Sequence, residues 1–363
     1  MRTASPRWFA AALIAISAFA FGCATTRPRA ATPVAATTPP DAMPAAAMFK
    51  TLCSHCHGPD AKGYAADRAP SLVNPTFLES ATDEFLRRSI ATGRPGTSMA
   101  AYSKDAGGPL GPEAIDRLVA WIRAHGSQAR ALAPVPPGSS MNGAVLYGAQ
   151  CQKCHGEPGT RGPDVMLTNP GFLNAASDAF IQHAISEGRP GTEMIAFKAK
   201  LGEQQIADIV AYLRSHAQPL DASRMPAPTG SEPLFLHPRG EAPTFVLRED
   251  RFVGVDQVAE ALNQHRRLVI IDARPESEWM SSHIAGAVPI PHYQLERLSQ
   301  IPKDAYAIAY CACPHHLSGI VVDSLRARGY PHAYVLDEGV LEWEKRGYPM
   351  VKASAPDSTR PER

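Results

Sequence analysis

The pentapeptide Cys-x-x-Cys-His occurs twice in this chain, at residues 53–57 and 151–155, and each occurrence opens a segment that repeats the other. Two further runs recur in the same order in both copies, and they are Asn-Pro-x-Phe-Leu at 74–78 and 169–173 and Gly-Arg-Pro-Gly-Thr-x-Met at 93–99 and 188–194. Self-similarity of this kind predicts two copies of one small structural unit.

Each copy closes on a predicted amphipathic helix, over residues 113–125 in the first copy and 203–216 in the second. Apolar side chains recur there at intervals of three and four residues, which is the period of one buried helix face. These side chains are Ile115, Leu118, Val119 and Ile122, and then Ile206, Ile209, Val210 and Leu213. The repeat therefore predicts two all-α domains, over residues 44–126 and 141–217.

A Cys-x-x-Cys-His motif is typical of the covalent attachment site of haem c. In such a site both thiols add to haem vinyl groups, the histidine is the proximal iron ligand, and a methionine is a common sixth ligand. The candidate attachment residues are Cys53, Cys56, Cys151 and Cys154, and the candidate iron ligands are His57, Met99, His155 and Met194. The sequence therefore predicts two covalently bound haem c groups, each with iron.

A single motif of this kind also fits half of a zinc site or a redox dithiol. Zinc needs further Cys or His ligands at short spacing, and the next candidates are distant, at His125 and His183. Two methionines at matching positions in matching loops favour haem. His55, inside the first motif, is predicted to face solvent.

A prolyl carbonyl is predicted to orient each proximal histidine by accepting a hydrogen bond from its ring. The candidates are Pro70 and Pro163, which precede the Asn-Pro pair in the two copies. The second copy has two more residues between this proline and the Asn-Pro pair than the first.

Both halves resemble small class I cytochrome c domains. The resemblance implies an all-α fold and electron transfer to redox partner proteins. Six-coordinate iron with His and Met ligands suits that role because it leaves no open position for a substrate.

The N-terminus indicates an exported chain. Residues 1–23 combine a basic start at Arg2 and Arg7 with an apolar run over 8–21, as in a secretory signal. The run ends in Ala-Phe-Gly-Cys, which resembles a bacterial lipobox with Cys23 as the lipidation site. Cleavage nearby without a lipid and an uncleaved anchor are the alternatives. Because haem c is attached outside the cytoplasm, we expect a lipid-anchored protein on the periplasmic side of a bacterial membrane.

The charge balance gives no indication of nucleic-acid binding. Lys and Arg number 36 against 35 Asp and Glu in 363 residues. Linkers rich in Pro, Ala or Thr are predicted at 24–43, 127–140 and 218–244, and a disordered tail at 352–363.

The pattern changes from residue 245 onward to strands that alternate with helices. We predict strands over residues 268–272, 283–288, 305–310 and 333–336, a helix capped by Asp256 that runs to Asn263, and helices over 318–328 and 340–345. The apolar run before Asp272 is typical of a buried parallel strand. This order predicts an α/β domain with a central parallel sheet over residues 245–351.

Three motifs in this part resemble those of the rhodanese domain. They are Asp-Ala-Arg-Pro-Glu-Ser-Glu-Trp at 272–279, His-Ile-Ala-Gly-Ala at 283–287, and Leu-Asp-Glu-Gly-Val-Leu-Glu-Trp at 336–343 with Gly-Tyr-Pro at 347–349. The resemblance covers residues 250–351 and implies that Cys311, after the central strand, is a nucleophile. Asp272 and Arg274 of the first motif, and Cys313, complete the candidate catalytic set.

The expected loop after the strand would favour a reactive Cys311. Backbone N–H groups and the positive end of a following helix stabilise a thiolate or a persulfide. Residues 311–318 lack the arginine that thiosulfate-using members commonly carry, and resemble a Cys-x-Cys-Pro subgroup. Cys313 could resolve a persulfide or sulfenate on Cys311.

The sequence therefore predicts an exported dihaem electron-transfer protein whose rhodanese-like domain carries persulfide sulfur on Cys311. One alternative is a sulfurtransferase or sulfur-oxidising enzyme that uses the haems as electron acceptor, with a sulfane-sulfur donor and a thiol acceptor as partners. Another is a thiol or sulfide redox sensor with an inactive rhodanese fold.

Overall fold

A computed structural model describes residues 38–221, 223–312 and 315–354. The predicted signal segment with Cys23, most of the first linker, Cys313 and the end of the tail lie outside the described residues. Within the described ranges, no helix combines the length and the apolar character that crossing a membrane requires.

The first helical domain is built from five α-helices and two short 3₁₀ helices. The α-helices are α1 (Ala45–Leu52), α2 (Ser54–His57), α3 (Pro75–Ser80), α4 (Asp83–Thr92) and α5 (Pro112–Ala124), and the 3₁₀ helices are Pro40–Ala42 and Lys104–Ala106. The second helical domain repeats the α-helices as α6 (Ser140–Gln150), α7 (Gln152–His155), α8 (Pro170–Ala175), α9 (Asp178–Glu187) and α10 (Glu203–Ser215). The predicted closing helices are confirmed as α5 and α10, and all residues of their predicted apolar stripes are buried.

The two helical domains pack against each other through two equivalent contacts. α3 lies against α9 and α4 lies against α8, and because α3 corresponds to α8 and α4 to α9 in the repeat, each contact is the counterpart of the other. The Phe85 and Phe180 rings stack across this boundary with centroids 4.5 Å apart. Their apolar cores form one continuous cluster of buried side chains, which also takes in Tyr293 from the α/β domain. The repeat thus folds as a pseudosymmetric pair.

The C-terminal domain has a five-stranded parallel sheet flanked by helices. Its elements are β1 (Phe252–Val253), α11 (Val255–Asn263), β2 (Val269–Asp272), α12 (Glu276–Ser281), β3 (Ser282–Ile284), β4 (Val288–Pro289), a 3₁₀ helix (Leu295–Gln300), β5 (Ala307–Tyr310), α13 (Leu317–Ala327), β6 (Ala333–Leu336), α14 (Gly339–Lys345) and β7 (Met350–Lys352). The strand order is β1-β6-β5-β2-β4, and every pair in this sheet is parallel. Successive residues of β2 point into two different apolar clusters, so the sheet is buried on both faces as predicted.

Two local predictions in this domain are wrong. The single strand predicted over residues 283–288 is two strands, because β3 pairs antiparallel with β7 while β4 joins the parallel sheet. Gly286 lies between them with φ at +79°, a backbone conformation that ends one strand before the next begins. Asp256 is not the helix cap, because α11 begins after Gly254 and the Asp256 carboxylate instead contacts Arg346 and Tyr348.

Candidate haem and sulfur sites

Both Cys-x-x-Cys-His motifs adopt the same tight turn between two helices. Cys53 follows α1 with φ at −117°, and Cys151 follows α6 with φ at −119°. The backbone N–H of His57 donates to the Cys53 carbonyl at 3.0 Å, and His155 makes the same bond to Cys151 at 3.0 Å. Each motif is therefore folded into one helical turn, with its histidine one turn after its first cysteine.

A backbone carbonyl fixes the ring of each candidate proximal histidine. His57 Nδ1 donates to the Pro70 carbonyl oxygen at 2.9 Å, which agrees with the predicted partner. His155 Nδ1 donates to the carbonyl of Val165 at 2.7 Å, so the prediction of Pro163 is wrong. Pro70 and Val165 each lie four residues before the Asn-Pro pair of their copy. The equivalent position, and not the proline itself, therefore supplies the carbonyl. In both rings this leaves Nε2 as the nitrogen available to a metal.

The protonation states suit covalent haem attachment. Burial lowers the pKa of His57 and of His155, which favours the neutral imidazole that a metal ligand must be. Burial also raises the pKa of the Cys53 thiol to about 12 and that of Cys151 to about 11. Thiols of this kind make poor redox dithiols, whereas thioether formation removes their proton permanently. Across the described residues, no cluster of three or more His, Cys, Asp or Glu side chains is arranged to bind a metal ion.

The loops that carry the two methionines are built in the same way. The N–H of Arg94 donates to the Met99 carbonyl at 2.7 Å, and Arg189 donates to the Met194 carbonyl at 2.7 Å. Both loops start at a glycine with positive φ, where a Cβ atom would lie about 2.5 Å from the methionine carbonyl oxygen. The donor set at each site, a histidine whose neutral form is favoured and a methionine in a fixed loop, fits haem c.

Each methionine loop is also held by the other domain. Asn74 Nδ2 donates to the Pro190 carbonyl at 3.0 Å, and Asn169 Nδ2 donates to the Pro95 carbonyl at 2.8 Å. We call these two bonds the reciprocal clamp. The reciprocal clamp was not predicted, because capping alone explains an asparagine before a helix. Asn74 also fills that role, since its side chain accepts a hydrogen bond from Phe77 N–H at 3.3 Å.

The same boundary holds the arginines of both methionine loops. Arg94 donates to the Gly171 carbonyl at 3.2 Å, and Arg189 donates to Thr76 Oγ1 at 3.3 Å. Their guanidinium groups lie near aromatic rings of both domains, at 5.5 to 6.0 Å from the ring centroids. Burial lowers the pKa of each arginine to about 10, so both stay positively charged at neutral pH.

Cys311 lies at the carboxyl end of β5, as predicted, and is buried. Its Sγ lies 3.3 Å from Oγ of Ser318, a buried residue in the first turn of α13. The Cys311 carbonyl accepts a hydrogen bond from Val340 N–H at 3.0 Å, at the start of α14. Ser318 thus places the start of α13 beside the Cys311 sulfur. Ser318 is a site residue that no motif in the sequence predicted. Since residues 313 and 314 lie outside the described residues, Cys313 and the amide cradle stay predictions.

The loop has no arginine of its own, but an ion pair of Arg248 and Asp337 lies beside it. His315 Nε2 lies 2.7 Å from Asp337 Oδ1, and Arg248 binds the same carboxylate through two nitrogens at 2.9 and 2.7 Å. The Arg248 hydrogen bond and, more weakly, His315 lower the pKa of Asp337. Arg248 precedes β1 and is far from the loop in sequence, which is why the pattern of residues 311–318 did not reveal it.

Asp272 and Arg274 form a buried ion pair in the α/β domain. Arg274 Nη2 donates to Asp272 Oδ2 at 2.7 Å and to the Ser282 carbonyl at 2.6 Å. Although burial opposes its charge, the Asp272 carboxylate raises the pKa of Arg274. Tyr310, the residue before Cys311, donates its hydroxyl to Asp272 Oδ2 at 2.8 Å. The pair thus fixes the end of the strand that carries Cys311.

The α/β domain contacts the first helical domain close to its Cys-x-x-Cys-His motif. His292 Nε2 donates to the Thr51 carbonyl at 3.0 Å, and Ser277 Oγ donates to the Ala101 carbonyl at 2.5 Å. The ring of His55 meets that of His292 edge-on, with centroids 5.9 Å apart. His55 is therefore partly covered, and the prediction that it faces solvent is wrong because the folded α/β domain lies over it.

Comparison with known proteins follows the same division of the chain. Residues 40–122 and 139–213 match the family described as cytochrome C oxidase, cbb3-type, subunit III, and residues 254–346 match the rhodanese-like domain. The chain thus combines two cytochrome c domains with a C-terminal rhodanese-like domain. Cytochrome c domains bind haem c covalently.

Similar curated proteins match about half of this chain. The cbb3-type cytochrome c oxidase subunit CcoP of Cereibacter sphaeroides is 28% identical over 177 residues, which are 46% of this chain and 58% of that protein. Subunit FixP of Bradyrhizobium sp. is 26% identical over 181 residues, with the same coverages of 46% and 58%. The chain therefore spans less than two thirds of the length of these relatives.

Solved structures include similar rhodanese-like domains. The solution structure of the rhodanese-like domain of the Alr3790 protein from Anabaena sp. is 24% identical. The match covers 32% of this chain and 94% of the Alr3790 structure, with a TM-score of 0.27.

Proposed function

We propose that this protein is an exported electron-transfer cytochrome with two haem c groups, whose rhodanese-like domain carries persulfide sulfur on Cys311. The observation that carries the proposal is the equivalence of the two candidate haem sites. Each has a histidine held by a carbonyl through Nδ1, and each has a methionine in a loop with the same internal hydrogen bond. Two such sites on one chain suit electron transfer, because bound haem c supplies one-electron chemistry at each.

The residues of each site have defined roles in this proposal. Cys53, Cys56, Cys151 and Cys154 hold the haem groups, His57 and His155 are proximal ligands, and Met99 and Met194 are distal ligands. Controlled-potential coulometry of the full chain tests this, with an expected uptake of two electrons per chain. An uptake of one electron or none contradicts it.

The sulfur-carrying role rests on the environment of Cys311. The start of α13 and the Ser318 hydroxyl at 3.3 Å favour the thiolate form. A Cys311 thiolate attacks a terminal sulfur of a polysulfide, forming an S–S bond as an S–S bond of the donor breaks and a shorter polysulfide leaves. In this proposal Asp272 and Arg274 position the strand through Tyr310, and Cys313 assists release of the bound sulfur to a thiol acceptor.

Mass spectrometry after incubation with polysulfide tests this role. We expect one additional sulfur on Cys311 that cyanide removes, and none in Cys311→Ser. The variant Cys313→Ser should still take up sulfur but release it at a different rate. If the wild-type chain takes up no sulfur on Cys311, the sulfur-carrying role is contradicted. That result would favour the alternative of a sensor with an inactive rhodanese fold.

A sulfur-oxidising enzyme is the second candidate function. The contact between His292 and Thr51, two residues before Cys53, favours it over two unrelated fused modules. Reduction of the haem absorption by a sulfane donor in wild type but not in Cys311→Ser would support an enzyme. Sulfur uptake without such reduction would support a carrier.

Export and lipidation at Cys23 complete the proposal. They are supported by the signal-like residues 1–23 and by the attachment of haem c outside the cytoplasm. Mass spectrometry of the membrane fraction should find a lipid-modified Cys23 at the mature N-terminus. A mature chain that starts elsewhere and stays in the aqueous fraction would contradict lipid anchoring.

A further inference from the structure

The sulfur site and the first Cys-x-x-Cys-His motif share one edge of the parallel sheet. Because β2, β4 and β5 are parallel, their carboxyl ends lie together. Cys311 follows β5 at this edge, and His292 follows β4 at the same edge. His292 Nε2 donates to the Thr51 carbonyl at 3.0 Å, and Thr51 precedes the first haem-attachment cysteine by two residues.

Backbone hydrogen bonds continue this contact to the strand that carries the sulfur. The N–H of His292 donates to the Ala273 carbonyl at 3.0 Å, and the N–H of Ala273 donates to the carbonyl of Tyr310 at 3.0 Å. Tyr310 is bonded directly to Cys311 in the chain. Thr51, two residues before the first motif, and the candidate nucleophile are thus connected through three residues, His292, Ala273 and Tyr310.

The boundary between the rhodanese-like domain and the first cytochrome c domain is closely packed. The Tyr293 side chain is 6% exposed and belongs to the apolar core of the helical domains. Next to it, Ser277 Oγ donates to the Ala101 carbonyl at 2.5 Å. Charges across a packed boundary interact more strongly than charges separated by water.

Imidazole rings from both domains are in contact at this boundary. The ring of His55 meets that of His292 edge-on, with centroids 5.9 Å apart. In the second motif the residue equivalent to His55 is Lys153, which is exposed. The two motifs therefore differ at a position that meets the rhodanese-like domain in the first of them.

We propose that sulfur bound on Cys311 is electrostatically coupled to the haem of the first cytochrome c domain and not to that of the second, with His55 as a positioning residue at the boundary. This inference rests on the proposed loading of Cys311. A persulfide is a stronger acid than a thiol, so loading increases the negative charge that Cys311 carries at the sheet edge that contacts the first motif. Added negative charge there stabilises oxidised iron relative to reduced iron. The first domain would thus report the sulfur state of the chain to its redox partners.

Spectroscopic redox titration of the full chain tests the coupling. Cys311 is first loaded with polysulfide, the excess donor is removed by gel filtration, and the loading is measured by mass spectrometry. A second sample carries Met194→His, which moves the second haem to lower potential so that the two transitions can be assigned. On loading, we expect the reduced-to-oxidised ratio of the first haem at a fixed applied potential to fall by a factor of roughly two to ten. The second transition should stay unchanged.

The variants separate the possible outcomes. Cys311→Ser should show neither loading nor a shift, and His55→Ala should load fully but lose most of the shift. Lys153→Ala, the matched change in the second motif, should behave as wild type. A fully loaded chain with no shift, or with equal shifts at both haems, overturns the coupling while leaving the sulfur-carrier proposal intact. A wild-type chain that does not load overturns both.

Discussion

The first and second cytochrome c domains hold their candidate ligands with the same internal contacts but face different neighbours. In both, the methionine carbonyl accepts a 2.7 Å hydrogen bond from the arginine of its loop, and the histidine ring donates to a carbonyl. Outside these sites, the first domain meets the rhodanese-like domain beside its Cys-x-x-Cys-His motif, whereas Lys153 of the second motif is exposed. Equal sites can thus acquire unequal roles from what is packed against them.

The domains also depend on each other, because the reciprocal clamp crosses their boundary. Asn74 binds the loop that ends in Met194, and Asn169 binds the loop that ends in Met99. A change in one domain should therefore affect the ligand loop of the other. The following predictions test how equal the two domains are, starting with the largest expected effect.

Removal of the distal ligands should affect both domains equally. Met99→Ala and Met194→Ala should each remove one methionine–iron charge-transfer band, open one iron to cyanide and lower the potential of that haem, because Met ligation raises it. Absorption spectroscopy and cyanide titration of the oxidised protein measure this. If either variant keeps both bands in full, another residue is the ligand at that site.

Removal of either half of the reciprocal clamp should destabilise the helical pair. Asn74→Ala and Asn169→Ala each remove a helix cap and a part-buried cross-domain hydrogen bond, which should lower the free energy of unfolding by about 1–3 kcal/mol. Guanidinium denaturation followed by circular dichroism gives the values. Exposed Asn174→Ala is the control, with an expected change of about 0.5 kcal/mol or less. A cost confined to one of the two clamp variants would show that the pair is not reciprocal.

Acid should weaken the contact between His292 of the rhodanese-like domain and Thr51 of the first cytochrome c domain. Burial lowers the pKa of His292 to about 4 in the folded chain, below its ordinary value of 6.5. The unfolded chain therefore binds more protons between these pH values, and stability falls as the pH decreases from about 6.5 to about 4. We expect His292 to contribute about 1–3 kcal/mol to that loss. The difference between thermal unfolding at pH 7 and at pH 4.5 should thus be smaller in His292→Asn than in wild type, and equal differences would contradict the assignment.

The smallest effect concerns His55 and its counterpart Lys153 in the second motif. His55→Ala removes a partly covered ring from the boundary and should cost about 0.5–1 kcal/mol, while Lys153→Ala should stay within about 0.5 kcal/mol. Thermal unfolding of both variants at pH 7 measures the difference. Equal values would mean that the rhodanese-like domain does not stabilise the first motif.

The helices of the repeat were predictable because the same helical spacing of apolar residues extends over several turns and occurs in both copies. The closing helices and their buried stripes follow from apolar residues at helical spacing, and β6 agrees with the predicted strand over residues 333–336. The strand predicted over 283–288 failed because a glycine with positive φ interrupts a run that looks continuous in sequence. Strand β1 has two residues, too few to show a period.

Contacts between residues distant in the chain were mostly not predictable from a single sequence. The carbonyl partner of His57 was predicted correctly, but Val165 was missed because any residue can offer a carbonyl. The clamp, the Arg248 contact with Asp337 and the cover over His55 join residues distant in the chain. No local pattern encodes such pairs.

The most direct test of the account is to locate covalent haem on peptides of the whole protein. After proteolysis of the mature chain, mass spectrometry should find one haem on the peptide that contains residues 53–57 and one on the peptide that contains 151–155. Equal amounts on the two peptides would support two equivalent sites on one chain. Haem on one peptide only, or haem that acid acetone extracts from both, would contradict it.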